Sequence, residues 1–317
     1  MTRMGTQSWK TRGRKGADET TLVVLGASGN IGRMLIERPR PGVSAILAPN
    51  RKSLDLLDSK AVALFFHSLS DRNICLLYGA YIDRRRGDTI ANRDANTVML
   101  QNVLQAIPQT AQFIFLSSTA VFGDLGQKPT ARETPVNPNS WYGESKVLCE
   151  QKLSEVQLLK MPVVLRLTGV YGSTGCATGT LDLLIDKVLA NKPLTLDCAG
   201  RHLRDWVFVD NVCTILYEFV KHELPAKKNV LGLPLLLASG ESWTISRYVE
   251  IISKVLHPPV NKIDPSIVPD HRCHDETFVV DTRIQHLLGD LEISRKTAIE
   301  KTIQRRKAFS DSWRQQR

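Results

Sequence analysis

The chain has 317 residues, a formal net charge of +10, 42% hydrophobic and 23% charged residues. That length suits one large α/β domain with a smaller appended part, and the composition is neither fibrous nor that of a disordered chain. No apolar run reaches the roughly eighteen residues of a transmembrane helix. Six scattered cysteines without a CxxC pair suggest neither a zinc site nor a disulfide framework, and reduced thiols in a cytoplasm fit best.

Part of the positive charge is terminal. Arg3, Lys10, Arg12, Arg14 and Lys15 lie in residues 1–18, which read as a disordered basic leader without the apolar core of a secretory signal. Arg305, Arg306, Lys307, Arg314 and Arg317 lie at the other end. No nucleic-acid motif accompanies them, so a phosphate-bearing small substrate is the expected partner, with neither nucleic acid nor membrane.

Thr20–Leu25 is a short, β-branched apolar run and predicts a buried strand. A glycine-rich turn and a helix from Arg33 to Glu37 follow, ended by Pro39 and Pro41. Val43–Leu47 predicts a second strand with a turn at Pro49-Asn50, and Ile74–Tyr78 a third. A long helix spans Thr89–Ala106, and Phe113–Leu116 is a strand ending in Ser117-Ser118. After a loop with three prolines come a helix from about Tyr142 to Leu159 and a strand at Val163–Leu167. Strands alternating with helices predict a doubly wound parallel α/β sheet of the Rossmann type. Beyond Gly169 the pattern is mixed and loop-rich. The expected division is a nucleotide-binding domain over 19–172 with about 205–238, and a smaller substrate-binding lobe over about 173–204 and 239–317.

Gly26-x-x-Gly29-x-x-Gly32 lies between the first strand and its helix. Such a loop turns tightly, lets a pyrophosphate approach the backbone, and presents helix N–H groups to it. Ser28, Asn30 and Ile31 complete this candidate cofactor loop, and Gly79 and Ala80 are its candidates after the third strand. NAD enzymes place an acid at the end of the second strand to hold the ribose hydroxyls, but this chain has Ala48-Pro49-Asn50-Arg51. Arg51 can pair with a 2′-phosphate, which favours NADP over NAD. Asp55, with Leu56, falls near the adenine site, where Asp55 either bonds the adenine amino group or caps a helix.

Tyr142-Gly-Glu-Ser-Lys146 puts a tyrosine and a lysine on one helix face. A nearby ammonium stabilises the phenolate, so the tyrosine can exchange a proton with an alcohol or carbonyl oxygen while hydride moves at the same carbon. Lys146 can also hold the nicotinamide ribose. Ser118, 24 residues before Tyr142, is the candidate third group for the reacting oxygen.

In these motifs the chain resembles the extended short-chain dehydrogenase/reductases, the NAD-dependent epimerase/dehydratase group that mostly acts on nucleotide sugars. The matching pieces are the glycine loop, Asn96, Ser117 to Gly123, Pro138 to Lys146, Arg166 to Gly172, Arg204 to Asp210, and Asp281 to Gly289. The resemblance implies catalytic roles for Ser118, Tyr142 and Lys146, cofactor contacts at Asn96 and Val170, and substrate contacts at Thr119 and Arg204, with Arg204 on a diphosphate. It also implies a homodimer formed through the two long helices. Sugar dehydratases of the family follow the catalytic hydroxyl with an Asp-Glu pair; Thr119-Ala120 stand there in this chain, which disfavours dehydration. The function expected is reduction of a keto-sugar nucleotide. Transient oxidation by a 4-epimerase with retained NAD is the alternative, and a non-enzymatic NAD(P) sensor on the same fold a distant third. Arg84-Arg85-Arg86 reads as a solvated loop, and Cys149 as a small buried residue.

Overall fold

The computed structural model describes residues 20–37, 42–82, 86–123, 130–174, 179–192, 194–196, 200–221, 234–256, 263–264, 278 and 293–315. The leader, Pro39 and Pro41, Arg84 and Arg85, the 281–289 motif, and Cys176, Cys198 and Cys273 lie outside the described residues.

In chain order the elements of the first half are β1 (Thr20–Leu25), α1 (Asn30–Ile36), β2 (Val43–Leu47), α2 (Ser59–His67), β3 (Asn73–Tyr78), α3 (Ile90–Ala106), β4 (Gln112–Ser118), α4 (Trp141–Glu155) and β5 (Val163–Leu167). They continue with β6 (Gly169–Tyr171), α5 (Thr180–Leu189), β7 (Leu194–Thr195), β8 (Leu203–Arg204), β9 (Trp206–Phe208), α6 (Val209–Val220), β10 (Leu235–Leu237), β11 (Trp243–Thr244), α7 (Ile245–Val255), β12 (Ile263–Asp264) and α8 (Arg295–Gln315).

Six of these strands form one parallel sheet in the order β2-β1-β3-β4-β5-β10. Successive side chains of a strand point to opposite faces, and a sheet covered on both sides needs both sets apolar. Leu22 and Val24 of β1 join Cys75, Leu77, Ile114 and Leu116 in a core shared with α1 and α6. Val23 and Leu25 join Ile74, Leu76, Tyr78, Phe113 and Phe115 in a second core under α2, α3 and α4. This two-sided burial explains why the strands read as unbroken apolar runs. The order reverses at β1, between β2 and β3, and the crevice at such a switch point is where open α/β sheets bind ligands.

Several expectations shift. The Tyr142 helix stops at Glu155, not Leu159: Val156 is extended, and Leu159 N donates to Gln109 O at 2.9 Å instead of continuing the spiral. Among its described residues, the region after Gly169 holds four helices, α5, α6, α7 and α8, between short strands. Arg305 and Arg306, read as terminal surface charge, are structural. Arg305 forks onto Asp210 at 2.9 and 2.8 Å and donates to Gly172 O at 3.0 Å, while Arg306 is buried and pairs with Asp186. These bonds fasten α8 to α5, α6 and the end of β6.

Candidate functional site

The crevice floor is made where β1 and β3 end. Gly26 has φ of +97°, a conformation that side chains resist, and a Cβ there would stand 2.5 Å from Gly79 C. Gly79 N in turn donates to Leu25 O at 2.8 Å. The loop then enters α1 through Gly29, whose N-cap position offers no side chain to the helix's first N–H groups. Ser28 is exposed, and its carbonyl accepts from Arg33 at 3.4 Å. Ile31 is half-buried. Both polar atoms of the Asn30 side chain are buried without a partner among the described residues, as is Thr168 Oγ1 at the end of β5. Leaving a buried amide unpaired is costly, so orphans at a glycine loop fit a polar guest. The chemistry offered, free helix N–H groups beside an unpaired amide, suits a pyrophosphate.

At the other end of the crevice, Asn50 organises the turn after β2: its Oδ1 accepts from Lys52 N at 2.9 Å and Ser53 N at 3.2 Å. Arg51 and Lys52 are thereby held side by side and exposed. Asp58, not Asp55, caps the following helix, accepting from Lys60 N and Ala61 N at 3.0 Å. Asp55 closes a tighter turn by accepting from Leu57 N at 3.1 Å. Leu56 is buried under α3, where Asn102 donates to its carbonyl at 2.9 Å. Asn96 clamps Ile82, accepting from its N–H at 2.7 Å and donating to its carbonyl at 3.2 Å. Its amide thus fixes the chain that leaves β3 beyond Gly79 and Ala80.

The two serines at the end of β4 separate in role. Ser117 faces inward and donates to Glu150 Oε1 at 2.5 Å, and Glu150 holds the buried Arg166 through Oε1 at 3.1 Å and Oε2 at 2.7 Å. Ser118 is half-buried at the opposite face of the strand end, with Oγ accepting from Ala120 N at 3.2 Å. Thr119 and Ala120 form a short 3-10 turn with Val121 and Phe122. The first turn of α4 packs against that turn so closely that a Cβ on Gly143 would meet Ala120 O at 2.4 Å. Glycine next to Tyr142 therefore brings the tyrosine's helix up to the serine's strand. Ser140 caps this helix, accepting from Gly143 N at 3.0 Å.

Lys146 is buried one turn further on. Its Nζ donates to Leu116 O at 2.8 Å and lies 3.8 Å from the Tyr81 ring centroid, 4.9 Å from Phe115 and 5.8 Å from Tyr142. Behind it, burial pushes the Cys149 thiol up to about 11, partly offset by the Lys146 charge, which leaves it a packing residue rather than a nucleophile. Val170 lies in β6, beside β9.

Arg204 sits in β8, paired with Trp243, and its Nη1 donates to Leu203 O at 2.9 Å. Its neighbour Asp205, which the sequence reading passed over, is fully buried and accepts from Ser239 N at 2.8 Å and Gly240 N at 2.9 Å. Burial raises its carboxyl pKa despite those bonds. Arg86 is exposed. None of the described helices is long and apolar enough to cross a membrane. No His/Cys/Asp/Glu cluster able to hold a metal occurs among the described residues.

A switch-point glycine loop on the same parallel sheet as a serine-ended strand and a tyrosine–lysine helix defines the short-chain dehydrogenase/reductase class. Residues 22–231 match the model of the NAD dependent epimerase/dehydratase family, and the chain belongs to that family. Among curated relatives, a dTDP-glucose 4,6-dehydratase of Xanthomonas campestris is 30% identical over 227 residues, 67% of this chain and 62% of that one. The chain spans about three fifths of the length of the first curated relatives it matches. Among solved structures, the UDP-glucose 4-epimerase of Thermotoga maritima superposes with a TM-score of 0.73 at 18% identity, over 91% of this chain and 99% of that one. A GDP-mannoheptose C4 reductase of Campylobacter jejuni, solved with NADP, superposes at 0.71 and 16% identity, over 92% and 100%. At such identities the two structures show a shared fold.

Proposed function

We propose that the chain is an NAD(P)-dependent enzyme acting on a nucleotide-linked sugar, and that its reaction is reduction of a keto-sugar with NADPH. The observation that carries this reading is the buried Lys146 ammonium one helical turn from Tyr142, beside the strand end that bears Ser118. Burying an ammonium is costly, and a nearby phenol that must ionise gives it a use. A bound nicotinamide cofactor would supply the hydride chemistry. The chain's own residues handle the proton and the geometry. Tyr142 Oη exchanges a proton with the sugar oxygen, Ser118 Oγ hydrogen-bonds that oxygen, and Lys146 favours the phenolate. Asn30 and the N–H groups of α1 take the pyrophosphate, Asp55 and Leu56 border the adenine, Val170 borders the nicotinamide, and Thr119 and Arg204 contact the substrate.

Two features favour reduction over the relatives' other reactions. Thr119 and Ala120 carry no carboxylate for eliminating water. Arg51 and Lys52 offer an exposed cationic pair to a 2′-phosphate, where a ribose-binding acid would repel it. Titrating the purified protein with NADPH and NADH tests the second point. Arg51→Ala should weaken NADPH binding by about tenfold or more, the worth of a charge-assisted hydrogen bond, and leave NADH unchanged. NAD released on denaturation, with isomerisation and no net cofactor turnover, would establish the epimerase instead.

A further inference from the structure

Tyr81, three residues past the end of β3, belongs to none of the motifs. Its half-buried ring meets the Tyr142 ring edge-on, with centroids 5.1 Å apart and planes at 84°. The same ring is the aromatic surface nearest the Lys146 ammonium among those measured, at 3.8 Å, and its hydroxyl donates to the Tyr142 carbonyl at 3.2 Å. The connection that carries Tyr81 also grips Tyr142 from the other side, since Asp88 accepts from Tyr142 N at 2.8 Å. The Asn96 clamp on Ile82 holds Tyr81 in place from behind.

We propose that Tyr81 is a positioning residue: its ring face holds the Lys146 ammonium beside Tyr142 and thereby sets the pH at which the Tyr142 phenol ionises. The inference rests on the tyrosine–lysine reading above. An ammonium is drawn to the negative face of an aromatic ring, and the attraction grows when both are removed from water. Lys146 has a long, flexible stem, and without that face the Leu116 carbonyl, at 2.8 Å, still binds the ammonium but nothing on the Tyr81 side keeps it close to the phenol. Other ionisable groups around the pair pull differently. Cys149 and Tyr78 lie behind it, and burial keeps both protonated at neutral pH. Glu150 is bound to Arg166, and Glu144 to Arg93 at 2.8 Å. Asp88, at the backbone of Tyr142, opposes the phenolate. Lys146 has to outweigh it, and does so in proportion to its closeness to the phenol.

The tyrosinate absorbance of the protein, titrated with and without Tyr142→Phe, isolates the Tyr142 curve by difference. The wild type should ionise Tyr142 below the ordinary tyrosine value of about 10. Tyr81→Phe, which keeps the ring, should titrate with the wild type. Tyr81→Leu should move the Tyr142 midpoint up by about one pH unit or more, as loss of a close opposite charge does. Tyr81→Met, apolar without a π face, serves the same purpose if the leucine variant does not fold. A midpoint unmoved by either variant overturns the role of Tyr81 while leaving the tyrosine–lysine pair intact. An ordinary wild-type midpoint that Lys146→Met does not shift overturns both.

Discussion

Tyr142→Phe should abolish turnover, by about a hundredfold to ten-thousandfold, and leave dinucleotide affinity within about twofold of the wild type. The substitution removes one oxygen. The ring's edge contact with Tyr81 survives, and so do the backbone bonds that hold position 142, from Asp88 to its N–H and from the Tyr81 and Ser145 hydroxyls to its carbonyl. The helix cap from Ser140 to Gly143 is likewise untouched. The variant should therefore fold and carry the same crevice. Only proton exchange with the substrate oxygen is lost, and Ser118 cannot replace it, because a serine hydroxyl is a far weaker acid than a phenol beside an ammonium. NADPH oxidation against a panel of keto-sugar nucleotides measures the loss, and fluorescence titration measures the retained binding. Unchanged turnover would remove Tyr142 from the chemistry. A protein that binds dinucleotide and turns over none of the panel, with or without the substitution, would be the sensor on the same fold.

The parts of this architecture legible in the sequence were those decided locally. β1, β2 and β5 fall on their short β-branched and aliphatic runs to the residue, because turn residues bound each run. The glycine loop was legible because its spacing states a backbone requirement, as the +97° φ of Gly26 shows. Helix α2 was overlooked although its signals were present: Asp58 caps it, and Val62 and Phe66 sit four apart on its buried side. Other features had no local signal. Arg305 and Arg306 reach partners 95 to 133 residues away, and nothing in a run of basic residues distinguishes a buried fork from a solvated tail. Strands of two or three residues, such as β10 and β11, exist because neighbours supply the ladder. Tyr81 and Asp205 draw their roles from what the fold sets beside them.

Ser117, Glu150 and Arg166 provide the second large effect, on stability rather than chemistry. Arg166 is buried, and its guanidinium meets the Glu150 carboxylate with two parallel bonds of 3.1 and 2.7 Å. Its third nitrogen donates to Arg132 O at 3.3 Å, and its plane lies 5.0 Å from the Phe122 ring centroid. Glu150→Ala leaves that guanidinium and the Ser117 hydroxyl without their acceptor inside the fold, at a cost of about 3–5 kcal/mol. Urea unfolding should show a lower midpoint at an unchanged slope. Replacing both ends, with Glu150→Leu and Arg166→Met together, should cost clearly less than Glu150→Ala alone, because no charge is then stranded and two desolvation penalties disappear. If the single and double variants were equally unstable, the pair would be acting through its packing volume and not its charge. The outcome bears on the site, since Ser117 precedes Ser118 and Phe122 closes the turn on which Gly143 rests. A stranded Arg166 should loosen that turn first, so Glu150→Ala should lose substrate turnover at temperatures where the fold still stands.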